Sequence, residues 1–311
     1  MIVMDINSRE PAVMIEDLTK EFGELKVIDE LSFNQRENET VAILGKNGSG
    51  KTTLIKLLIG LYQPTSGKVE LFGQDPVAHP AVKEKISYLS GDYGLYPNLT
   101  VRETIELAAS LYNTKVDPDK AFNIIRKEDI DLDKEIKLLS RGQLQLVKIS
   151  SAMVNHPSLI ILDEPTSGLD ILVRQRLLAR LCWYKEEEGV NLLFTSHSFS
   201  EVSQLADRII FLDKGKKLAD LKIEELPAVN KEIIFIPQKD LEISDLGLDK
   251  IKGINEITLD NNKFIINYSN DEANILYSLS EIPYLSLKIK EPDLADIFQK
   301  LIEGGSEDNI E

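Results

Sequence analysis

The chain has 311 residues, 42% of them apolar, with one cysteine and a formal net charge of −16. That length suits one large domain plus a small one, and the acidic balance makes the chain a poor candidate for binding DNA, RNA or anionic lipid, because like charges repel. One cysteine excludes an intrachain disulfide and suits the cytosol, and no apolar run approaches the roughly 18 residues of a membrane span.

Residues 1–11 carry no basic region and no long apolar stretch, so no signal peptide is expected. Residues 12–15 and 26–33 read as strands joined by a turn near Phe22-Gly23. Residues 39–44 read as a buried strand. The next stretch, Gly45-Lys46-Asn47-Gly48-Ser49-Gly50-Lys51-Thr52, fits the phosphate-binding pattern G-x-x-x-x-G-K-[ST]. From Thr52 and Thr53 to Leu61 the apolar residues recur at helical spacing. Strand, loop and helix in that order make the match specific. Glycines let phosphate oxygens approach backbone N–H groups. The helix start adds unpaired N–H groups and the positive end of a dipole. Lys51 has the reach for the β- and γ-phosphates, and Thr52 offers a hydroxyl to Mg²⁺.

Residues 63–67 form a turn, 68–72 a strand, and 81–89 run from a short helix into another strand. Thr100-Val101-Arg102-Glu103 is a capping box that opens a helix to Tyr112. Asp117-Pro118 offers a cap and a first-turn proline for a helix ending near Lys127. These helices read as an insertion, about 92–137, within an α/β core. A helix from Ser140 to Asn155 follows, then the strand 159–162, apolar on both faces. A long helix covers 171–188, a strand 191–195, a short helix starts at Ser200, and a strand covers 208–212. Asp213-Lys214-Gly215 makes a hairpin turn. Helices alternating with apolar strands predict an α/β sheet.

The pattern changes past Leu226-Pro227, which places one domain over 1–225 and another over 226–311. The second reads as strand 232–236, helix 246–251, strand 256–259, strand 263–268, helix 271–281 and strand 284–290. Asp260-Asn261-Asn262 is its hairpin turn. That β-α-β-β-α-β order is ferredoxin-like. A helix over 292–302 and a disordered tail over 304–311 end the reading.

Several polar residues carry chemistry. The strand 159–162 ends in Asp163-Glu164. An acid there suits Mg²⁺, and its neighbour can orient and deprotonate an attacking water. Leu139-Ser140-Arg141-Gly142-Gln143 opens a helix and makes a second anion site. His197 sits just past the end of a strand, where ligands bind in such sheets, placed to touch a γ-phosphate. His79 and His156 read as surface residues, and Cys182, in a helical apolar run, as a core residue.

The ordered set of Gly45–Thr52, 139–143, 159–164, Ser167-Gly168-Leu169-Asp170 and His197 resembles the nucleotide-binding subunit of an ABC transporter. These match the family's Walker A, signature, Walker B, D-loop and H-loop segments, and the likeness covers residues 14–221. It implies a P-loop ATPase fold, with ATP and Mg²⁺ as ligands. It implies that two subunits sandwich two ATP molecules. Ser140 and Gly142 of one subunit, with Gln143 beside them, would serve the γ-phosphate held by Lys51 of the other. Asp170 would couple the two sites, and Phe22 would stack on adenine. The implied partners are a membrane-spanning subunit and a second ATP-binding subunit, with the chain peripheral on the inner face of the cell membrane.

Two departures mark this chain. Arg141 replaces the first glycine of the usual Leu-Ser-Gly-Gly-Gln signature. The Q-loop glutamine expected after Ile86-Ser87-Tyr88-Leu89 is missing from Ser90-Gly91-Asp92-Tyr93-Gly94-Leu95-Tyr96. The Gly-Asp-x-Gly-Leu-Tyr form, and the ending Glu291-Pro292-Asp293-Leu294-Ala295-Asp296-Ile297-Phe298, look like bacterial ABC-2-type exporters, including sodium exporters. The first expectation is therefore an ATPase subunit that drives export through separate membrane subunits. A soluble ABC ATPase outside transport is the second, and a small-molecule-sensing role of the small domain the third.

Overall fold

A computed structural model describes residues 10–90, 94–112, 116, 118–169, 171–197, 199–225, 231–248, 251–268 and 272–290. Two compact units divide between Ile223 and Glu224, with residues 198–200 grouped in the second.

The first unit holds two sheets. Strands β1 (Val13–Phe22), β2 (Leu25–Gln35) and β4 (Ser66–Leu71) form an antiparallel sheet in the order β2-β1-β4. Strand β3 (Thr40–Leu44) joins β5 (Ile86–Ser90), β6 (Leu159–Asp163), β7 (Asn191–Ser196), β8 (Arg208–Asp213) and β9 (Lys216–Lys222) in a sheet ordered β5-β6-β7-β3-β8-β9. All its pairings are parallel except the β8–β9 hairpin. Strands β3, β6 and β7 are buried at every residue, as expected for a parallel sheet covered on both faces. Helix α1 (Lys51–Leu58) buries Leu54, Ile55, Leu57 and Leu58 in a core shared with Ile15, Leu31 and Ile43.

β1 runs through Phe22, well past residue 15. Its pairing shifts between Ile15 and Leu18, and Asp17 has φ +46°. Such bulges break the alternation of faces that marks a strand in sequence. β9 had no expectation of its own beyond the hairpin turn, because few of its residues are apolar.

Helices α2 (Val101–Ser110), α3 (Asp119–Lys127) and α4 (Arg141–Ala152) share a second core around Val101, Ile105, Phe122, Ile125 and Val147. The expected capping box is present: Glu103 N donates to Thr100 Oγ1 at 3.1 Å, and Thr100 N donates to Glu103 Oε2 at 2.7 Å. At α3 the cap position is Pro118, with no side-chain cap, and Asp117 lies outside the described residues. Helix α5 (Ile171–Glu188) follows β6, and α6 (Phe199–Leu205) follows β7. Cys182 on α5 is only half-buried, with Sγ 3.9 Å from the Gln204 carbonyl, which corrects its expected core placement. His79 and His156 are exposed, as expected.

The second unit is one antiparallel sheet of β10 (Lys231–Pro237), β11 (Ile254–Asp260), β12 (Lys263–Tyr268) and β13 (Tyr284–Lys290), ordered β11-β12-β10-β13. That order is the ferredoxin-like one. Helix α7 (Glu272–Ser280) sends Ile275 and Leu279 into a core with Ile233, Phe235, Phe264 and Ile266. Asn261 and Asn262 turn the hairpin with φ +48° and +60°, as a two-residue turn requires. The helix expected over 246–251 is absent at its described residues: a 3₁₀ turn, Ile243–Leu246, ends at Gly247 with φ +64°, and residues 249–250 lie outside the described residues. Residues 292–302 and 304–311 lie outside the described residues. Among those described, no helix is long and apolar enough to cross a membrane.

Candidate functional site

The register of the large sheet assembles the site. Ser90 lies opposite Asp163, Asp163 opposite Thr195, and Leu44 opposite Ser196. The carboxyl ends of β5, β6, β7 and β3 therefore meet along one edge, the place where open α/β sheets bind ligands.

The phosphate loop leaves β3 at that edge. Lys46, Asn47 and Gly48 are exposed, while Ser49 and Gly50 are buried. Gly50 holds the cap position of α1 with φ +109°. A methyl group there would meet Ile28 Cδ1 at 2.8 Å and Val27 O at 2.9 Å. Backbone conformation and space both require glycine. Gly50 offers no side-chain cap and the first turn of α1 holds no acid, so nothing of α1's own competes with an anion at its start. Ser49 Oγ is buried without a hydrogen-bond partner among the described residues.

Lys51 is only 6% exposed. Its Nζ donates to the carbonyls of Gly45 at 2.7 Å and Lys46 at 3.2 Å, and lies 3.9 Å from Glu164 Oε1. Burial pushes its ammonium down from the ordinary lysine range, while the charges of Glu164 and Asp163 oppose that shift. A buried cation, an uncapped helix start and a glycine cradle together fit a polyphosphate. Thr52 is exposed beside them and Thr53 half-buried.

One hydroxyl organises the two acids. Thr195 Oγ1 donates to Asp163 Oδ1 at 2.7 Å and accepts from Glu164 N at 2.9 Å. Glu164 has φ +49°, a region that a glutamate enters only under constraint. The constraint turns its carboxylate toward Lys51 and toward His197, whose Nδ1 lies 3.7 Å from Glu164 Oε2. His197 is 62% exposed, open to a ligand. Among the described residues no cluster of three His, Cys, Asp or Glu forms a metal cage. The oxygens of Thr52 and Asp163 fit Mg²⁺, a hard cation that takes few protein ligands and keeps its waters.

Ser140, Gly142 and Gln143 stand on the helical layer. Ser140 and Gln143 close a capping box: Gln143 N donates to Ser140 Oγ, and Ser140 N to Gln143 Oε1, both at 3.2 Å. Ser140 itself is exposed, and Gly142 packs against Val173 of α5. Phe22 ends β1, 45% exposed, with its ring 5.4 Å from Tyr62 in a T-shaped pair. Lys20 Nζ sits 4.9 Å from the Phe22 centroid. Asp170 and the Gly91-Asp92-Tyr93 segment lie outside the described residues. Sequence reading passed over Thr195, Thr166 and Glu201 as side chains that hold these groups. Only the parallel pairing of Asp163 with Thr195 signals the first of them.

The family model for ABC transporters matches residues 28–167. The bacitracin transport ATP-binding protein BcrA of Bacillus licheniformis is 31% identical over 301 residues, spanning 93% of this chain and 97% of that protein. The chain belongs to the ATP-binding subunits of ABC transporters. It is an ABC ATPase, whose family couples ATP hydrolysis to transport through membrane subunits. A solved ATP-binding subunit of an ABC transporter aligns at TM-score 0.62 and 28% identity, over 69% of this chain and 91% of its own. A dimeric ATP-binding cassette in a post-hydrolysis state, bound to ADP and Pi, aligns at TM-score 0.60 and 26% identity, over 68% and 98%. Both cover about two thirds of this chain, against 93% for BcrA.

Proposed function

We propose that this ABC ATPase powers export, as a pair of subunits that sandwich two ATP molecules. The observation that carries it is the joint orientation of Asp163 and Glu164 by Thr195, with Lys51 and His197 converging on Glu164. Lys51 and the amides of Gly45–Thr52 hold the β- and γ-phosphates. Thr52 and Asp163 hold Mg²⁺, which when bound neutralises charge on the phosphate oxygens. Glu164 accepts the proton of the attacking water as the water oxygen bonds to the γ-phosphorus and the bond to the β–γ bridging oxygen breaks, so that ADP leaves with that electron pair and inorganic phosphate forms. His197 faces the γ-phosphate. Phe22 takes the adenine, Ser140, Gly142 and Gln143 serve the opposite subunit's nucleotide, and Asp170 couples the two sites.

Export rests on the ABC-2-type likeness of residues 90–96 and 291–298. The end-to-end match to a protein named for bacitracin transport supports it. A groove between β5 and α2 lined by Tyr88, Leu95, Tyr96, Leu107, Leu111 and Tyr112 supports docking of a membrane subunit on this face. Tyr96 and Leu111 are largely exposed there. Arg141 within the signature is accommodated because it is exposed on the first turn of α4.

Glu164→Gln tests the core of this reading. The amide keeps the shape and loses the base, so the variant should bind ATP without turnover and accumulate an ATP-dependent dimer by light scattering. Turnover at the wild-type rate would remove Glu164 from the role of base. A monomer that binds ATP without pairing would remove the sandwich.

A further inference from the structure

Glu201 is 4% exposed, in the first turn of α6. Its Oε2 accepts from Ser196 Oγ at 2.6 Å. Its Oε1 accepts from Thr166 Oγ1 and lies 3.6 Å from Arg174 Nε. Thr166 is 3% exposed and Ser196 1%, so neither hydroxyl has water as an alternative.

These contacts join three stretches of chain around the site. Thr166 lies two residues past Glu164, in a turn where Ser167 N donates to Glu164 O at 3.2 Å and Leu169 N to Thr166 O at 3.1 Å. Ser196 is the residue before His197. Arg174 is on α5, just beyond the 167–170 segment. Successive strand residues point to opposite faces. Thr195 therefore orients the acids from one side of β7, while Ser196 reaches Glu201 from the other. Gln145 of α4 holds the same turn, donating to Pro165 O at 2.9 Å.

We propose that Glu201 is a positioning residue for hydrolysis, setting the turn behind Glu164 against the strand end that carries His197. The role suits a carboxylate, since two hydroxyls donate to it and the Arg174 guanidinium pairs with it as an ion at 3.6 Å. An amide would turn its own N–H groups toward one of those donors. This inference rests on the reading that Glu164 and His197 act at the γ-phosphate. Nothing in the contact set touches the phosphate loop, so the effect belongs to turnover and leaves nucleotide binding unmoved.

The test measures kcat, KM for MgATP, affinity for a fluorescent ATP analogue and thermal unfolding in full-length Glu201→Gln and Thr166→Val. Misplaced reacting groups can lose roughly 100-fold in rate, so we expect kcat to fall by roughly 10- to 100-fold in each variant. KM and analogue affinity should stay within about twofold, since the phosphate loop is untouched. The double variant should lose little beyond the worse single one, because both act on one network. Thr166→Val removes a single hydroxyl and keeps the side chain's shape, so it decides the matter if Glu201→Gln does not fold. A folded Glu201→Gln or Thr166→Val protein with wild-type kcat overturns the proposal, even if its unfolding temperature falls. If Glu164→Gln also kept wild-type turnover, the assignment of the base would fail instead.

Discussion

Asp163 and Thr195 face one another across two parallel strands, and the Thr195 hydroxyl donates to the Asp163 carboxylate at 2.7 Å. The same oxygen accepts the Glu164 amide at 2.9 Å. One buried hydroxyl thus serves the proposed metal ligand and the backbone of the proposed base.

Thr195→Val keeps the β-branched shape and removes both contacts. It leaves the Glu164 N–H and one Asp163 oxygen without their partner. An unsatisfied buried group costs about 1–3 kcal/mol, so unfolding should shift by that order. Turnover should fall further than stability alone explains, because the strained φ at Glu164 loses its support. Thr195→Ser, which retains the hydroxyl, should restore most of the rate. Steady-state ATPase assays with denaturant titrations check both parts. Equal turnover in the valine and serine variants would show that the hydroxyl does not position the acids.

The parts of the site that sequence made legible are those written within one segment. Gly45–Thr52 carries its glycines, lysine and hydroxyl in a row, and Asp163-Glu164 ends an apolar run bounded by strand signals. Thr195, Thr166 and Glu201 were passed over because each acts across segments. Their partners depend on the register of β6 against β7 and on where α6 begins, which no local pattern encodes. The second unit shows the converse. Lys263–Tyr268 and Tyr284–Lys290 read correctly as strands. The 246–251 stretch read as a helix because Leu246, Leu248 and Ile251 looked like a spaced apolar face. Gly247 takes a left-handed conformation instead and ends the turn, and Leu246 and Leu248 reach one core from an irregular chain.

The large sheet also carries an acid-sensitive clasp at its far edge. Arg208 on β8 grips Asp220 on β9 with two donors, Nε to Oδ1 at 2.6 Å and Nη2 to Oδ2 at 2.8 Å. Burial pushes the Asp220 carboxyl up, but hydrogen bonds from Arg208 and Lys217 outweigh it and hold the carboxyl below its ordinary 3.8. A carboxyl held low in the folded state contributes stability above its unfolded value, and loses it as pH falls through the folded value. Asp220→Asn should therefore destabilise the protein at neutral pH and flatten its loss of stability below about pH 4. Denaturant midpoints measured from pH 7 down to pH 3 check this. Parallel wild-type and variant curves across that range would exclude Asp220 from the acid response.

Phe22 offers the last test, because its proposed partner is the base alone. The ring is 45% exposed and stands edge to face with Tyr62 at 5.4 Å. Tyr62 and Lys20, whose Nζ also donates to Gln63 O at 2.8 Å, fix the ring from the protein side. A stacked aromatic pair contributes about 0.5–1.5 kcal/mol beyond area burial. Phe22→Ala should therefore weaken ATP binding by roughly 3- to 10-fold. Tripolyphosphate has no base, and its affinity should not change, since Lys51 and the glycine loop hold only the phosphates. Phe22→Trp should match or exceed wild type, having a larger face. Competition of ATP and tripolyphosphate against a fluorescent nucleotide separates the two contributions. An equal loss for both ligands would mean that Phe22 supports the β1–β2 hairpin behind the phosphate loop, where Val27 O and Ile28 crowd Gly50, and does not read the base.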